Sequence, residues 1–129
     1  NIALATELMP NVGHDWSIGS GARNMQRIID SGVPFDGVIA LNDQLAMGAL
    51  STLAANGISV PDQVQVIGFD NNEEAPYLQI PLTTMDSCLD WIAPTAVSRI
   101  INRIDGSRTL EPELITTQSR VIARATTRA

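Results

Sequence analysis

Trp16, Asn42 and Asp70 are the residues of this chain whose types best suit ligand chemistry. Together they fit a polyhydroxylated small molecule: an indole covers the C–H face of a sugar, a carboxylate accepts from two neighbouring hydroxyls, and an amide both donates and accepts. Covalent chemistry finds little equipment. The sequence has no G-x-S-x-G elbow, no P-loop and no G-x-G-x-x-G after a strand, and Gly19-Ser20-Gly21 is an isolated pair of glycines. Asp43 with Asp70 would make a carboxylate pair for general acid–base work, yet no base, nucleophile or metal partner accompanies them. His14 and Cys88 are the single histidine and cysteine, too few for the usual zinc sets or for an internal disulfide. The expectation is a binding module with no catalytic residue, metal or cofactor.

A parallel sheet would bring those three residues together. Ile2 to Glu7 is short and apolar enough for a strand, and residues 8–19, with Pro10, Gly13 and Gly19, read as an irregular loop. From about Ser20, Ala22, Met25, Ile28 and Ile29 recur at helical spacing until Gly32 and Pro34 stop the helix. Asp36 to Leu41 is a second strand pattern. After Asn42-Asp43 a helix carries Leu45, Ala46, Ala49 and Leu53 on one side and closes at Gly57. Val64 to Phe69 is a third strand, ending in Asp70 to Glu74 and a short helical segment over Ala75 to Leu78. Pro81 to Thr84 reads as an extended crossing segment. A helix with Ala93, Val97, Ile100, Ile101 and Ile104 on one face follows, its regular part starting near Ala93 because of Pro94, and one extended piece lies within Leu114 to Ala125.

Strands alternating with helices predict an α/β fold, a parallel sheet in a three-layer sandwich built by right-handed crossovers. Ligands in such sheets bind at the carboxyl ends of the strands. The loops at residues 8–19, 42–43 and 70–74 then share one edge of the sheet, and with them Trp16, Asn42 and Asp70. Plainer readings stand beside these roles. Asn42 or Asp43 could simply cap the following helix, Asp70 could open a turn, and Trp16 could anchor its loop on the sheet. His14 reads as an exposed loop residue and Cys88 as a small buried hydrophobe.

Composition narrows the partners. Of the 129 residues 44% are hydrophobic, 17% charged and 4% aromatic, the range of one domain with an apolar core. No stretch approaches the roughly 18 apolar residues of a membrane span. The net charge is -6, and the basic residues are all arginines scattered from Arg23 to Arg128, so no clustered patch exists for a phosphate backbone. The first residue is Asn1 and no signal-peptide pattern follows, so the chain reads as a fragment or processed piece.

The string from Asp36 to Met85 resembles the effector-binding core of the lactose/galactose-repressor family of bacterial transcription regulators. Asn42-Asp43 with Ala46 and Gly48, then Val60-Pro61, Val66-Ile67-Gly68-Phe69-Asp70 and Pro81-Leu82-Thr83-Thr84 arrive in that family's order. Asp15-Trp16-Ser17 with Ser20-Gly21 is similar to the segment before them in the lactose-repressor branch. The resemblance implies a periplasmic-binding-protein-like clamshell of two subdomains around a small effector, of which this chain is the C-terminal one, together with a DNA-binding headpiece and an N-terminal subdomain outside it. It places effector contacts on Trp16 as the stacking ring, Asn42 as a polar contact and Asp70 as the carboxylate. Asn71 departs from the family, whose members often carry a second acid there.

The implied layout is a single subdomain over residues 1–129, with 1–82 and 110–129 forming the sheet core and 83–109 a crossing segment and helix packed on the other subdomain. The resemblance also implies a cytoplasmic homodimer, with Met47, Tyr77 and Leu78 at the interface. Its partners would be a saccharide effector and, through the headpiece alone, operator DNA. A secreted sugar-binding protein of a transporter is the alternative, distinguished by a signal peptide in place of a headpiece.

Overall fold

The computed structural model describes residues 6–10, 13–106 and 114–128. Helix α1 spans Ile18–Asp30, strand β1 Gly37–Ile39, helix α2 Asp43–Ala55, strand β2 Gln65–Phe69, strand β3 Thr83–Asp86, helix α3 Leu89–Ile104 and strand β4 Arg120–Ile122. The sheet order among these residues is β1-β2-β3-β4, with β1, β2 and β3 parallel and β4 antiparallel to β3. The α/β class with a mainly parallel sheet agrees with the sequence reading.

Each helix of the covering pair starts on a side-chain cap. Ser17 Oγ accepts from Ser20 N at 3.2 Å ahead of α1, and Asn42 Oδ1 accepts from Leu45 N at 2.8 Å ahead of α2. Gly32 and Gly57 follow the two helices at φ of +69° and +70°, the left-handed stop expected of them. The helices cross backbone to backbone. A Cβ at Gly48 would lie 2.0 Å from the Ile18 carbonyl oxygen, and one at Gly21 would lie 2.2 Å from that of Leu45. Thr52 Oγ1, donating to the Ala22 carbonyl at 3.2 Å, ties the same crossing. Beneath it Met25, Leu45, Leu53, Val66 and Leu82 form the centre of the core.

The structure corrects several expectations. Residues 1–5 of the expected first strand lie outside the described residues, and the run ends in a 3-10 turn at Thr6–Leu8. The segment read as a crossing is partly a strand: β3 pairs Thr83, Thr84 and Met85 with Ile67, Gly68 and Phe69. Its two buried residues, Thr83 and Thr84, are threonines on opposite faces, which hides it from an apolar-pattern search. The tail holds this strand through polar bonds: Thr126 Oγ1 accepts from Thr83 N at 2.8 Å and donates to the Val66 carbonyl at 2.7 Å, and the Thr83 and Thr127 hydroxyls bond each other at 2.8 Å. Thr83 Oγ1 accepts from Arg124 N at 2.8 Å. The short helix after β2 is a 3-10 turn over Ala75–Tyr77.

Helix α3 begins at Leu89, four residues earlier than expected, with Pro94 inside it. The proline removes one intrahelical donor, and Asp90 and Pro94 are both exposed, so water can satisfy the carbonyl one turn back. No residue of α3 is buried by the described chain, and Ile104 is 77% exposed. Cys88 is half-buried instead of buried; it sits in the left-handed region at φ +60° and its Sγ donates to the Gln118 carbonyl at 3.5 Å.

Candidate effector site at the strand ends

Helix α2 starts directly beyond β1, and the residues after β2 turn back beside it, so both loops open on one edge of the sheet. Asn42 is the first link. Its Oδ1 caps α2, and its Nδ2 donates to the Trp16 carbonyl at 3.1 Å. The amide thus joins two of the expected residues and still has one donor and one lone pair for a ligand. The capping reading of Asn42 therefore holds alongside any contact role.

Trp16 is 43% exposed, so a large part of the ring is available for stacking. Its loop is fastened by Asp15, whose Oδ1 accepts from Ser17 N at 3.2 Å and which pairs with Arg23. Hydrogen bonds from the Ser17 side chain and backbone, and then the Arg23 guanidinium, hold the Asp15 carboxyl below the usual aspartate range. Expected loss on Asn42→Ala is about 1 kcal/mol of stability, the ordinary cost of an N-cap, measured as a lower urea midpoint. The same substitution frees the Trp16 loop and should shift Trp16 emission.

Asp70 ends β2 in an unusual backbone. Its φ is +107° and that of Asn71 is +58°, two consecutive non-glycine residues on the side that L-residues avoid, at a cost of order 1–3 kcal/mol each. Asp70 caps no helix, since the following 3-10 turn is preceded by Glu74. Among the described residues its carboxylate has no hydrogen-bond partner. Partial burial, and secondarily the nearby Asp43 charge, hold its carboxyl above the usual aspartate range. An acceptor in this state is suited to hydroxyl donors from outside the chain.

Three successive amides fasten that loop. Asp70 N donates to the Met85 carbonyl at 2.9 Å, Asn71 N to Thr84 Oγ1 at 3.3 Å and Asn72 N to Asp43 Oδ2 at 2.7 Å. Asp43 is the residue that sequence reasoning misassigned. It is the first residue of α2, fully buried, and does not cap the helix. Its other oxygen accepts from Thr84 Oγ1 at 2.6 Å. The available signal was Gly68, two residues before Asp70: a Cβ there would lie 2.2 Å from Asp43 Oδ1.

An apolar cavity of about 400 Å³ lies elsewhere, beside α1 and β1, lined by Met25, Phe35, Val38 and Leu45 and by Leu8 to Pro10. Trp16, Asn42 and Asp70 take no part in its wall. Residues 1–5 directly precede that rim and lie outside the described chain. Among the described residues no group of three His, Cys, Asp or Glu side chains comes together to hold a metal ion, and no helix is long and apolar enough to cross a membrane.

The family model for the periplasmic binding protein-like domain matches residues 3–127. The chain belongs to that family. Among curated relatives, the HTH-type transcriptional regulator AscG of Escherichia coli K12 is 34% identical over 105 residues, covering 81% of this chain and 31% of the relative. A LacI-type transcription regulator from Bifidobacterium animalis subsp. lactis superposes with a TM-score of 0.83 at 40% identity, over 88% of this chain and 40% of that one. The transcriptional regulator CelR in complex with cellobiose gives 0.80 at 27% identity, over 87% and 34%. The resemblance to the lactose/galactose-repressor family is borne out. This periplasmic binding protein-like chain spans about a third of the length of the curated relative it matches.

Proposed function

We propose that this chain is the C-terminal effector-binding subdomain of a LacI-type transcription regulator. Trp16 stacks on the effector, Asn42 contacts it and Asp70 accepts from its hydroxyls. The observation that carries this reading is the Asp70 carboxylate: half-buried at a strand end, held in a strained turn, and without a hydrogen-bond partner among the described residues. A chain selected for stability alone gains nothing from such a group, whereas a polyol ligand satisfies it. The saccharide class agrees with the exposed indole, and the structurally similar CelR binds cellobiose. No catalytic residue, metal or cofactor has a part in this mechanism.

The remaining parts of the regulator complete the switch. A second subdomain covers the exposed apolar face of α3 and closes over the effector, and a headpiece contacts operator DNA. The effector binds one closure state better than the other, and that difference in affinity sets how two headpieces lie on the operator. The protein acts in the cytoplasm as a homodimer. Tyr77, 82% exposed, is the strongest interface candidate, with half-buried Met47 on α2. Leu78 is half-buried and packs partly on this subdomain's own core.

Met47→Asp places a charge at that interface, so sedimentation of the intact regulator should show its mass fall by about half, as desolvating an unpaired charge costs several kcal/mol. An unchanged mass would remove Met47 from the interface. The regulator reading itself is tested by selecting operator duplexes from a random pool with the intact protein and adding saccharides. A bound duplex with two half-sites whose affinity changes with one saccharide is expected. Saccharide binding with no duplex retained would contradict it.

A further inference from the structure

We propose that Asp43 is a positioning residue for the effector-binding carboxylate of Asp70: buried beneath the turn after β2, it holds Asn72 and Thr84 together and so fixes where Asp70 is presented. The inference rests on the reading of Asp70 as the effector's acceptor. Three features of the packing carry it.

The first is the division of the Asp43 carboxylate between two elements. Oδ1 accepts from the Thr84 hydroxyl on β3 at 2.6 Å, and Oδ2 accepts from the Asn72 amide at 2.7 Å. Since Asn42 already caps α2, the acid is not needed to start the helix. Burying a carboxylate is costly unless its oxygens are matched, and here each oxygen is matched to the one strand and the one turn that flank Asp70.

The second is the room made for it. Gly68 lies on β2 opposite Thr84, and any side chain there would displace Asp43 Oδ1 at 2.2 Å and press on Leu82 at 3.0 Å. The third is the turn itself. Asp70 and Asn71 have φ of +107° and +58° without being glycines, and such a turn relaxes unless its surroundings over-determine it. Thr84 Oγ1 serves both anchors, accepting from Asn71 N at 3.3 Å while donating to Asp43. Asn71 Oδ1 in turn accepts from Arg124 Nη2 at 2.8 Å, and Arg124 Nη1 donates to the Leu82 carbonyl at 2.7 Å. The turn is therefore held from α2, β3 and the C-terminal tail, with Asp43 at the junction of the first two.

The test uses the intact regulator with Asp43→Asn, which keeps the shape and loses one acceptor, and with Thr84→Val and Thr84→Ser at the second point of the lock. Without ligand, Asp43→Asn should speed amide exchange at residues 70–72 by about 10-fold or more, while amides at Met25 and Leu53 in the helical core keep theirs. Thr84→Val should do the same and Thr84→Ser should restore protection. Titrated with a panel of mono- and disaccharides that includes cellobiose, Asp43→Asn should bind about 10-fold more weakly, yet add less than about 2-fold in an Asp70→Asn background.

Unchanged exchange at residues 70–72 in both Asp43→Asn and Thr84→Val would overturn the proposal, as would an equal loss of affinity in the two backgrounds, the mark of general destabilisation. If core protection falls in Asp43→Asn, the Thr84 pair decides by the same criterion. A wild-type protein that binds nothing in the panel overturns the effector reading and the positioning role with it, even where exchange separates the variants.

Discussion

Gly48→Ala is expected to destabilise the domain by about 3 kcal/mol or more, the upper end of what overpacking a core costs. In the middle of a helix that substitution should otherwise stabilise by about 1 kcal/mol, because alanine has the better helix propensity. The sign reverses because the added Cβ would lie 2.0 Å from the Ile18 carbonyl oxygen and 2.5 Å from the Ala22 amide nitrogen. Both are backbone atoms of α1, so no rotamer change relieves the clash and the two helices must separate. Gly37→Ala is the control, since a Cβ there meets nothing within 4 Å. Urea unfolding of the two variants should give a large drop in midpoint for the first and little change for the second.

Asp70→Asn is expected to do two opposite things. Effector affinity should fall by roughly 10- to 100-fold, the range for losing hydrogen bonds to a charged acceptor worth about 1.5–3 kcal/mol. Stability at neutral pH should rise. The Asp70 carboxyl is held above its ordinary range by burial and then by Asp43, so the fold prefers it protonated. A raised carboxyl adds stability below its unfolded pKa, and that contribution is lost as pH rises through the folded value. At pH 7 the charge is a net cost that asparagine removes, and the gap between variant and wild type should close as pH falls toward the aspartate range. Effector binding runs the other way. It needs the ionised form, so affinity should begin to fall, on acidification, at a pH above that of an unperturbed aspartate. Thermal unfolding and calorimetric titration across pH 4–8 read both effects. Such a trade of stability for function is common at binding sites.

The parts of this molecule that were legible in its sequence are those that repeat a local rule. Helices α1 and α2 announce themselves by spaced apolar residues and by glycines at their ends, and the structure places both elements close to their expected bounds. The α/β alternation then put residues 42 and 70 beside one sheet edge, and Asn42 does reach the Trp16 carbonyl.

What the sequence concealed depends on tertiary partners. Strand β3 is buried through Thr83 and Thr84, and threonine reads as core only once Asp43 and Thr127 supply partners for its hydroxyls. Asp43 itself is indistinguishable in sequence from a helix cap, because an acid in the first turn satisfies the helix dipole wherever its side chain lies. Helix α3 began early because an exposed helix tolerates Pro94, whose missing donor can be replaced by water. None of these follows from periodicity, since the first two rest on long-range hydrogen bonds and the third on the exposure of the whole helix.

The central claim is that Asp70, with Trp16 and Asn42, receives a small polyhydroxylated effector at the strand ends. The chain has two tryptophans, so Trp91→Phe in the intact regulator leaves Trp16 as this subdomain's reporter. The decisive measurement is a titration of Trp16 emission in that background with mono- and disaccharides, nucleosides and nucleobases, repeated with Asp70→Asn. A saturable change with one saccharide that Asp70→Asn weakens at least about 10-fold is the predicted result. Silence across the saccharides, or a saturable response of equal affinity in Asp70→Asn, would contradict the account.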